Sequence, residues 1–128
     1  MAKILLVDDD SFILDIYSSQ LKLAGYSVDI ANNANRALEK ITNNYPDLLI
    51  LDLNLDTKKP GPKEGVDVLR KIRQDPKTKN LNVITISNYS EKDYPELSNL
   101  NSLGVLRHFL KIENSPEELV KIVKEILK

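Results

Sequence analysis

The sequence contains no cysteine and a single histidine, His108, among its 128 residues. Without cysteine, neither a disulfide framework nor a thiolate metal site can form. One histidine excludes zinc sites built from several histidines and disfavours a histidine-based catalytic triad. The chain also lacks an apolar run near the ~20 residues that a membrane-spanning helix needs, and its N-terminal stretch lacks the long apolar segment of a signal peptide. We therefore expect a soluble protein of the cytoplasm.

No charge of either sign predominates. Lysine and arginine number 18 and aspartate and glutamate 19, which gives a formal net charge of -1. A chain without a strong overall field is not drawn to nucleic acid or to a membrane, and we expect direct binding to neither. Hydrophobic residues make up 41% and charged residues 29%, the composition of a globular domain. The length favours one domain spanning residues 1–128, without an output domain.

Short apolar runs alternate with longer amphipathic ones along the chain. The segment 90–104 contains Pro95, which an α-helix interior rejects, so its helix is expected to start near Pro95 or to be irregular. Five βα units with strands apolar on both faces indicate a parallel sheet covered by helices on both sides. The predicted strands are 3–7, 26–31, 47–51, 82–87 and 105–110, and the clearest predicted helices are 11–24, 34–43, 65–74 and 115–127.

Residues at the predicted helix ends support these boundaries. Gly25 follows the first helix, where a glycine commonly ends an α-helix. Asn32 or Asn33 can cap the second helix. Ser115 begins the last helix, and Glu118 lies three residues later, the spacing of a capping box.

Polar side chains follow four of the five predicted strands. In open α/β sheets, ligands bind outside the carboxyl ends of the strands, so these side chains are expected to meet at one edge. They are Asp8 and Asp9 after the first strand, Asp52 after the third, Ser87 at the end of the fourth and Lys111 after the fifth.

Such a set is suited to phosphoryl chemistry. Carboxylates gathered at one place repel one another and need a cation, and oxygen ligands suit Mg²⁺. A free carboxylate, with a reference pKa of ~3.9, is already ionised at neutral pH. It can attack an activated phosphoryl group without a general base, while an ammonium and a hydroxyl hold the phosphoryl oxygens. The pattern thus favours Asp52 as a phosphoryl acceptor.

Each of these residues also has an ordinary structural interpretation. The acidic run Asp8–Asp10 could cap the next helix, because carboxylates are favourable at a helix N-terminus. Asp10 comes one position too late to end the strand and is expected to cap a helix beginning near Ser11. The remaining candidates could be turn residues or a solvated lysine. Their convergence on one edge is what favours a functional site.

The sequence resembles the receiver domain of two-component response regulators. The resemblance rests on six segments, spread over essentially the whole chain in the order of the family. They are ILLVDDD (4–10), PDLLILDLNL (46–55), GVDVLRKIR (65–73), VITIS (83–87), FLK (109–111) and SPEEL (115–119). Each segment alone is weak, but their joint pattern is specific. The resemblance implies a flavodoxin-like (βα)5 fold, with a doubly wound parallel sheet of strand order 2-1-3-4-5.

The resemblance also implies a role for each residue of the acidic set. Asp52 would accept the phosphoryl group from a histidine kinase or a phosphotransfer protein. Asp9 would touch Mg²⁺ directly, Asp8 would act mostly through water, and Asn54 would give the metal its backbone carbonyl. The family's domains are signalling modules that can catalyse their own phosphorylation and slow dephosphorylation.

Three further residues would act in switching. Ser87 would move toward the phosphoryl group and Lys111 would pair with it, while His108 occupies a position where relatives often carry a switching tyrosine or phenylalanine. The surface of the fourth helix, fifth strand and fifth helix would then repack and control a downstream protein effector. His108 could make switching depend on pH, or its ring could be passive.

The chain departs from the family pattern near the acceptor. Asn88 stands where relatives favour alanine or glycine, and its bulk could hinder access to Asp52. Ile112 replaces the usual proline after Lys111, so the preceding peptide bond is expected to be trans. Residues 56–64 hold an insertion, and its basic part, 57–63, could contact a partner or form a solvated turn.

Two alternatives remain open from the residues. The chain could be a receiver-like binding or scaffold module that no longer switches. It could also be a Mg²⁺-dependent phosphohydrolase, although Asn54 stands where such enzymes carry a second aspartate. A flavin-binding domain on the same sheet is a more remote option, because acidic strand ends would repel the phosphate of the cofactor. A protein of this length could act alone or be a piece of a larger regulator or hybrid kinase.

Overall fold

The fold is a five-stranded parallel sheet with helices on both faces. The computed structural model describes residues 1–55, 61–88 and 94–128. The strand order is β2-β1-β3-β4-β5, as predicted. The strands are β1 (Lys3–Val7), β2 (Ser27–Ala31), β3 (Leu48–Asp52), β4 (Val83–Ser87) and β5 (Val105–Leu110), and the α-helices are α1 (Ser11–Leu23), α2 (Ala34–Asn43), α3 (Lys63–Gln74) and α4 (Pro116–Ile126).

The sheet separates two apolar layers, because successive strand residues point to opposite faces. In β3, Leu49 and Leu51 pack in the layer that includes residues of α2 and α3, whereas Leu48 and Ile50 pack with residues of α1 and α4. All residues of β3 and β4 are buried. The prediction of strands apolar on both faces is therefore correct for the centre of the sheet.

The edge strand β2, which the sequence predicted from the alternation of Val28 and Ile30, is less buried than the central strands. Only Ala31 of this strand is buried, and Ile30 is 41% exposed. The reason is position: β2 lies at one edge of the sheet, where it pairs with β1 alone. An edge strand has a neighbouring strand on one side only and packs against fewer residues than a central strand, so part of its apolar surface stays in contact with water.

The predicted helix caps are present. The side chains of Asp10 and Asn33 accept hydrogen bonds from the backbone N–H groups of Phe12 (2.9 Å) and Arg36 (2.8 Å). Ser115 likewise accepts one from the N–H of Glu118, at 3.3 Å. These bonds satisfy N–H groups that have no partner within the helix. Gly25 ends α1 with a φ of 99°, the left-handed region that favours glycine.

The fourth predicted helix is not an α-helix in the described residues. The chain forms two short 3₁₀ helices, Pro95–Asn99 and Asn101–Leu103, before Gly104 turns it into β5. Pro95 opens the first of them, where its missing N–H costs nothing. The helix thus starts at Pro95 and is irregular, while residues 90–93 of the predicted segment lie outside the described part.

Arg73 fastens this irregular segment to α3. Its guanidinium donates from Nε to the carbonyl of Leu103 (2.6 Å) and from Nη2 to that of Gly104 (3.3 Å). Its Nη1 donates to the carbonyls of Lys79 (2.9 Å) and Leu81 (2.8 Å) before β4. The side chain therefore ties together the end of α3 and the approaches to two strands.

Gly65 lets α3 approach the chain directly after Asp52. A Cβ atom at this position would lie 2.3 Å from the Cα of Leu53 and 2.6 Å from its carbonyl oxygen. The same close approach allows the N–H of Gly65 to donate to that carbonyl, at 3.0 Å. α3 thus anchors the segment that carries Asp52. Within the described residues, no helix is both long and apolar enough to cross a bilayer.

We expect Gly65→Ala to destabilise the protein by about 1–3 kcal/mol, because a methyl group would push against backbone that cannot rotate away. Urea unfolding of the purified protein measures this loss. Asp67→Ala, on the exposed face of the same helix, is the matched control and should change stability little. Equal stability of Gly65→Ala and wild type would show that this close approach is not required.

Candidate functional site

The carboxyl edge of the sheet opens into a cleft of ≈ 390 Å³. It brings together most of the residues that the sequence singled out. We call it the acidic cleft. It is lined by Asp8, Asp9, Asp10, Asp52, Asn54, Asn88 and Lys111.

The register of the central strands places the acidic residues side by side. Val7 pairs with Leu51, so that Asp8 and Asp52 follow as neighbours at the ends of β1 and β3. The N–H of Asp8 continues the ladder by donating to the carbonyl of Ala31, at 3.1 Å. Both carboxylates are buried, with Asp8 0% and Asp52 2% exposed.

Lys111 bridges these two buried carboxylates. Its Nζ lies 2.8 Å from Oδ2 of Asp8 and 3.4 Å from Oδ2 of Asp52. The backbone places it there, because the N–H of Lys111 donates to the carbonyl of Ser87 at 2.9 Å. A buried charge is tolerable only when it is paired and hydrogen-bonded, and this ammonium supplies that pairing.

Backbone donors satisfy the other oxygens of the same carboxylates. Oδ1 of Asp8 accepts from the N–H of Asp10 at 3.0 Å, and Oδ1 of Asp52 accepts from the N–H of Asn54 at 3.1 Å. Lys111 still supplies one positive charge against the negative charges of Asp8, Asp9 and Asp52. The cleft therefore retains an excess of negative charge that a cation can balance.

The electrostatics of the cleft raise several pKa values. Burial, followed by the charge of Asp8, raises the pKa of Asp52 to about 8, although Lys111 and the Asn54 N–H oppose the rise. Burial and the charge of Asp8 also raise the pKa of Asp9. Burial by itself would lower the pKa of Lys111, but the carboxylates of Asp52 and Asp8 outweigh it and raise that pKa. The site is thus short of positive charge when no metal is bound.

The donor set fits Mg²⁺. Asp8, Asp9 and Asp52 each offer a carboxylate oxygen, and these oxygens lie within 4.8 Å of one another. Among the described residues, Oδ1 of Asn54 is buried without a hydrogen-bond donor. Hard oxygen ligands that leave room for several waters are the environment that Mg²⁺ prefers. The family resemblance implied only a backbone role for Asn54, and nothing in the sequence pattern pointed to its side-chain oxygen.

Ser87 and His108 lie together beside the cleft. Ser87 is fully buried at the end of β4, and its Oγ lies 3.3 Å from Nε2 of the half-buried His108 ring. The opposite ring nitrogen, Nδ1, lies 2.7 Å from Oγ1 of Thr85. Sequence reasoning missed Thr85. Its spacing of two residues from Ser87, which places both on one face of the strand, was the available signal.

The departures from the family pattern have different outcomes. Asn88 lines the acidic cleft, where its side chain can affect access to Asp52. No cis peptide bond occurs in the described residues, so Ile112 follows Lys111 through a trans bond, as predicted. Ile112 is 75% exposed. Residues 56–60, which form much of the predicted insertion and of its basic loop, lie outside the described part.

The raised pKa of Asp52 predicts how stability varies with pH without Mg²⁺. Because the pKa is higher in the folded state than the 3.8 of a free aspartate, folding favours the protonated form. The raised pKa adds to the free energy of unfolding below about pH 4, and this contribution is lost as the pH rises toward about 8. Asp52→Asn, which cannot ionise, should therefore gain stability over wild type with increasing pH.

Urea unfolding across this pH range in the presence of a chelator measures the difference. Asp67→Asn, an exposed carboxylate on α3, serves as the control and should follow wild type at each pH. A difference in stability between Asp52→Asn and wild type that does not change with pH would contradict the raised pKa of Asp52.

Known proteins are similar to this chain in both sequence and fold. The family model of the response regulator receiver domain matches residues 4–124. Sporulation initiation phosphotransferase F of Bacillus subtilis is 33% identical over 85% of this chain and 81% of its own length. Phosphate regulon transcriptional regulatory protein PhoB of Pseudomonas aeruginosa is 30% identical over 98% of this chain, but this chain matches only 51% of PhoB.

A solved structure extends the similarity to the fold. The CheY-like response regulator receiver domain protein from Methanospirillum hungatei has a TM-score of 0.82 and 30% identity, covering 99% of this chain and 94% of that one. The matched region includes every residue of the acidic cleft. The chain therefore belongs to the response regulator receiver domain family, the signalling modules of two-component phosphorelays.

Proposed function

We propose that the chain accepts a phosphoryl group on Asp52 from a histidine kinase or a phosphotransfer protein, in a Mg²⁺-dependent reaction. The observation that carries this proposal is the position of Lys111 between Asp8 and Asp52, at 2.8 and 3.4 Å. This contact leaves the Asp52 carboxylate paired with a cation that a transferred phosphoryl group can also use.

The residues of the acidic cleft have separate roles in this proposed reaction. Asp8, Asp9, Asp52 and the backbone carbonyl of Asn54 would hold Mg²⁺, which supplies positive charge for the phosphoryl oxygens. An oxygen of Asp52 forms a bond to phosphorus while the P–N bond of the donor phosphohistidine breaks. The electron pair leaves with the imidazole nitrogen, which takes up a proton. Lys111 opposes the rise in the pKa of Asp52, and the positive charge of Mg²⁺ would favour the ionised, nucleophilic form of this carboxylate further.

The added phosphoryl group would then alter the neighbouring strands. Its charge and acceptor oxygens attract Lys111 and the hydroxyl of Ser87, which follow β5 and end β4. The 3₁₀ helices, β5 and α4 form the surface that would respond and control a protein effector. A cavity of ≈ 250 Å³ on this surface is lined by Leu97, Ser98, Leu100, Asn101, Val105, Leu106, Arg107 and His108.

Effector control through protein contacts in the cytoplasm, without direct binding to nucleic acid or a membrane, is part of the same proposal. The near-neutral net charge of -1 supports it. PhoB is a transcriptional regulatory protein of about twice this length, so its whole activity need not be shared. The domain is proposed to catalyse its own phosphorylation and slow dephosphorylation as well.

One observation favours a second candidate, a receiver-like scaffold that switches poorly. Asn88 lines the acidic cleft with its bulky side chain, where it can obstruct a phosphoryl donor. The phosphohydrolase alternative has less support, because the carboxamide of Asn54 cannot serve as the general acid that a second aspartate would provide.

The phosphorylation test separates the first candidate from the others. We expect the wild-type protein, incubated with Mg²⁺ and acetyl phosphate, to gain the mass of one phosphoryl group, and Asp52→Asn to gain none. Beryllofluoride with Mg²⁺ should shift backbone amide NMR signals of β5 and the 3₁₀ helices in the wild type only. A Mg²⁺-binding protein that gains no mass would contradict acceptance on Asp52. Phosphorylation without such shifts would favour the scaffold.

Access to Asp52 gives a further prediction. Asn88→Ala should be phosphorylated by acetyl phosphate several-fold faster than wild type, because the smaller side chain widens the approach. Asn80→Ala, on an exposed loop before β4, is the matched control and should leave the rate unchanged. An unchanged or slower rate in Asn88→Ala would show that Asn88 does not obstruct the cleft.

A further inference from the structure

A turn of exposed residues follows Lys111. Phe109 anchors β5 in the core and is only 2% exposed. After Lys111, by contrast, Ile112 is 75% exposed, and Glu113 and Asn114 are exposed as well. Packing against the core therefore does not hold the chain directly after Lys111. Because the ammonium of Lys111 reaches two buried carboxylates, something else has to fix the backbone at this turn.

The peptide unit between Leu110 and Lys111 is hydrogen-bonded at both ends. Its N–H donates to the carbonyl of Ser87 on β4, at 2.9 Å. In a planar trans peptide unit, the carbonyl points the opposite way from the N–H, so the carbonyl of Leu110 points away from β4. β5 is the outermost strand of the sheet in the described residues, so no further strand supplies a donor on that side.

The turn itself supplies the donors for this carbonyl. Nδ2 of Asn114 donates to the carbonyl oxygen of Leu110 at 3.0 Å, and the N–H of Glu113 donates to the same oxygen at 3.2 Å. A carbonyl oxygen has two lone pairs and can accept both bonds. A tilt of this peptide unit would weaken the bonds at both of its ends. Asn114 thus fixes the main chain from which the side chain of Lys111 departs.

The position of the ammonium is sensitive to this main-chain direction. Lysine carries its charge on a flexible four-carbon stem, and holding that stem in one conformation costs entropy. The side chain of Lys111 is nevertheless only 12% exposed, with Nζ 2.8 Å from Asp8 and 3.4 Å from Asp52. A backbone that already directs the stem into the acidic cleft favours these contacts over the alternatives in solvent.

We propose that Asn114 is a positioning residue for Lys111: its carboxamide caps the Leu110 carbonyl at the open edge of the sheet and so directs the ammonium toward Asp8 and Asp52. Asn114 is not among the residues that line the acidic cleft, so it acts through the main chain. This inference rests on the proposed role of Lys111 at the phosphoryl group.

The first test observes the ammonium of Lys111 without metal or phosphoryl group. Ammonium protons held by carboxylates exchange slowly with water, and ¹H–¹⁵N NMR detects them; the signal is assigned through the side-chain carbons of Lys111. We expect the exchange rate to rise about threefold to tenfold in Asn114→Ala, a change on the scale of one hydrogen bond. Asn80→Ala, which removes another exposed carboxamide, is the matched control and should exchange like wild type.

Two results of this test would overturn the inference. One is an unchanged exchange rate in Asn114→Ala. The other is a wild-type ammonium that exchanges as fast as those of exposed lysines, because the side chain would then not be held. Asn114 is exposed, so its replacement leaves the core intact, and urea unfolding verifies that the variant is folded.

The second test measures the consequence for phosphoryl recognition. With Mg²⁺, Asn114→Ala should bind beryllofluoride about twofold to tenfold more weakly than wild type. Asn114→Gln, which keeps a carboxamide donor, should retain most of the affinity, and Asn80→Ala should bind like wild type. Equal losses in Asn114→Ala and Asn114→Gln, or no loss in either, would contradict the role of the donor.

Failure of the proposed function would give a different result. Wild-type protein that does not bind beryllofluoride at all would contradict phosphoryl acceptance on Asp52. The exchange rate of the Lys111 ammonium would still decide whether Asn114 positions this side chain.

Discussion

The ion contacts of Lys111 with Asp8 and Asp52 are the interaction on which the rest of the site depends. Three strands end at this point, and their last residues could not all be buried if the two carboxylates faced each other alone. The ammonium joins the ends of β1 and β3 to the end of β5. Because it does not balance all the acidic charge of the cleft, it stabilises the site while leaving it able to bind a cation.

The surrounding fold holds this arrangement with backbone contacts. Gly65 brings α3 against the residue after Asp52, and the N–H of Lys111 bonds to the carbonyl of Ser87. Arg73 holds the 3₁₀ helices before β5 by donating to main-chain carbonyls. Asp52, Ser87 and the surface that we propose to respond are therefore parts of one connected framework. Through this framework, a charge added at Asp52 would alter the contacts of β5.

The sequence predicted the strands, the helix caps and the residues at the strand ends. These features depend on local patterns: apolar runs, side chains that hydrogen-bond the nearest backbone, and polar residues at the ends of apolar runs. It did not indicate how far β2 is exposed, because exposure depends on whether a strand lies at the edge or in the centre of the sheet. It also gave no indication of the buried oxygen of Asn54 or of the contact between Thr85 and His108.

The sequence by itself determined which chemical groups are present and in which order the elements follow. It thereby determined that the acidic pair Asp8 and Asp9, the proposed acceptor Asp52, the hydroxyl of Ser87 and the ammonium of Lys111 follow the strands. Only the tertiary structure decided which atoms meet. The register of β4 and β5 sets Thr85 opposite His108, and burial removes the water that would otherwise satisfy both groups. Distances and burial arise from contacts between residues far apart in the chain, and a local pattern does not contain them.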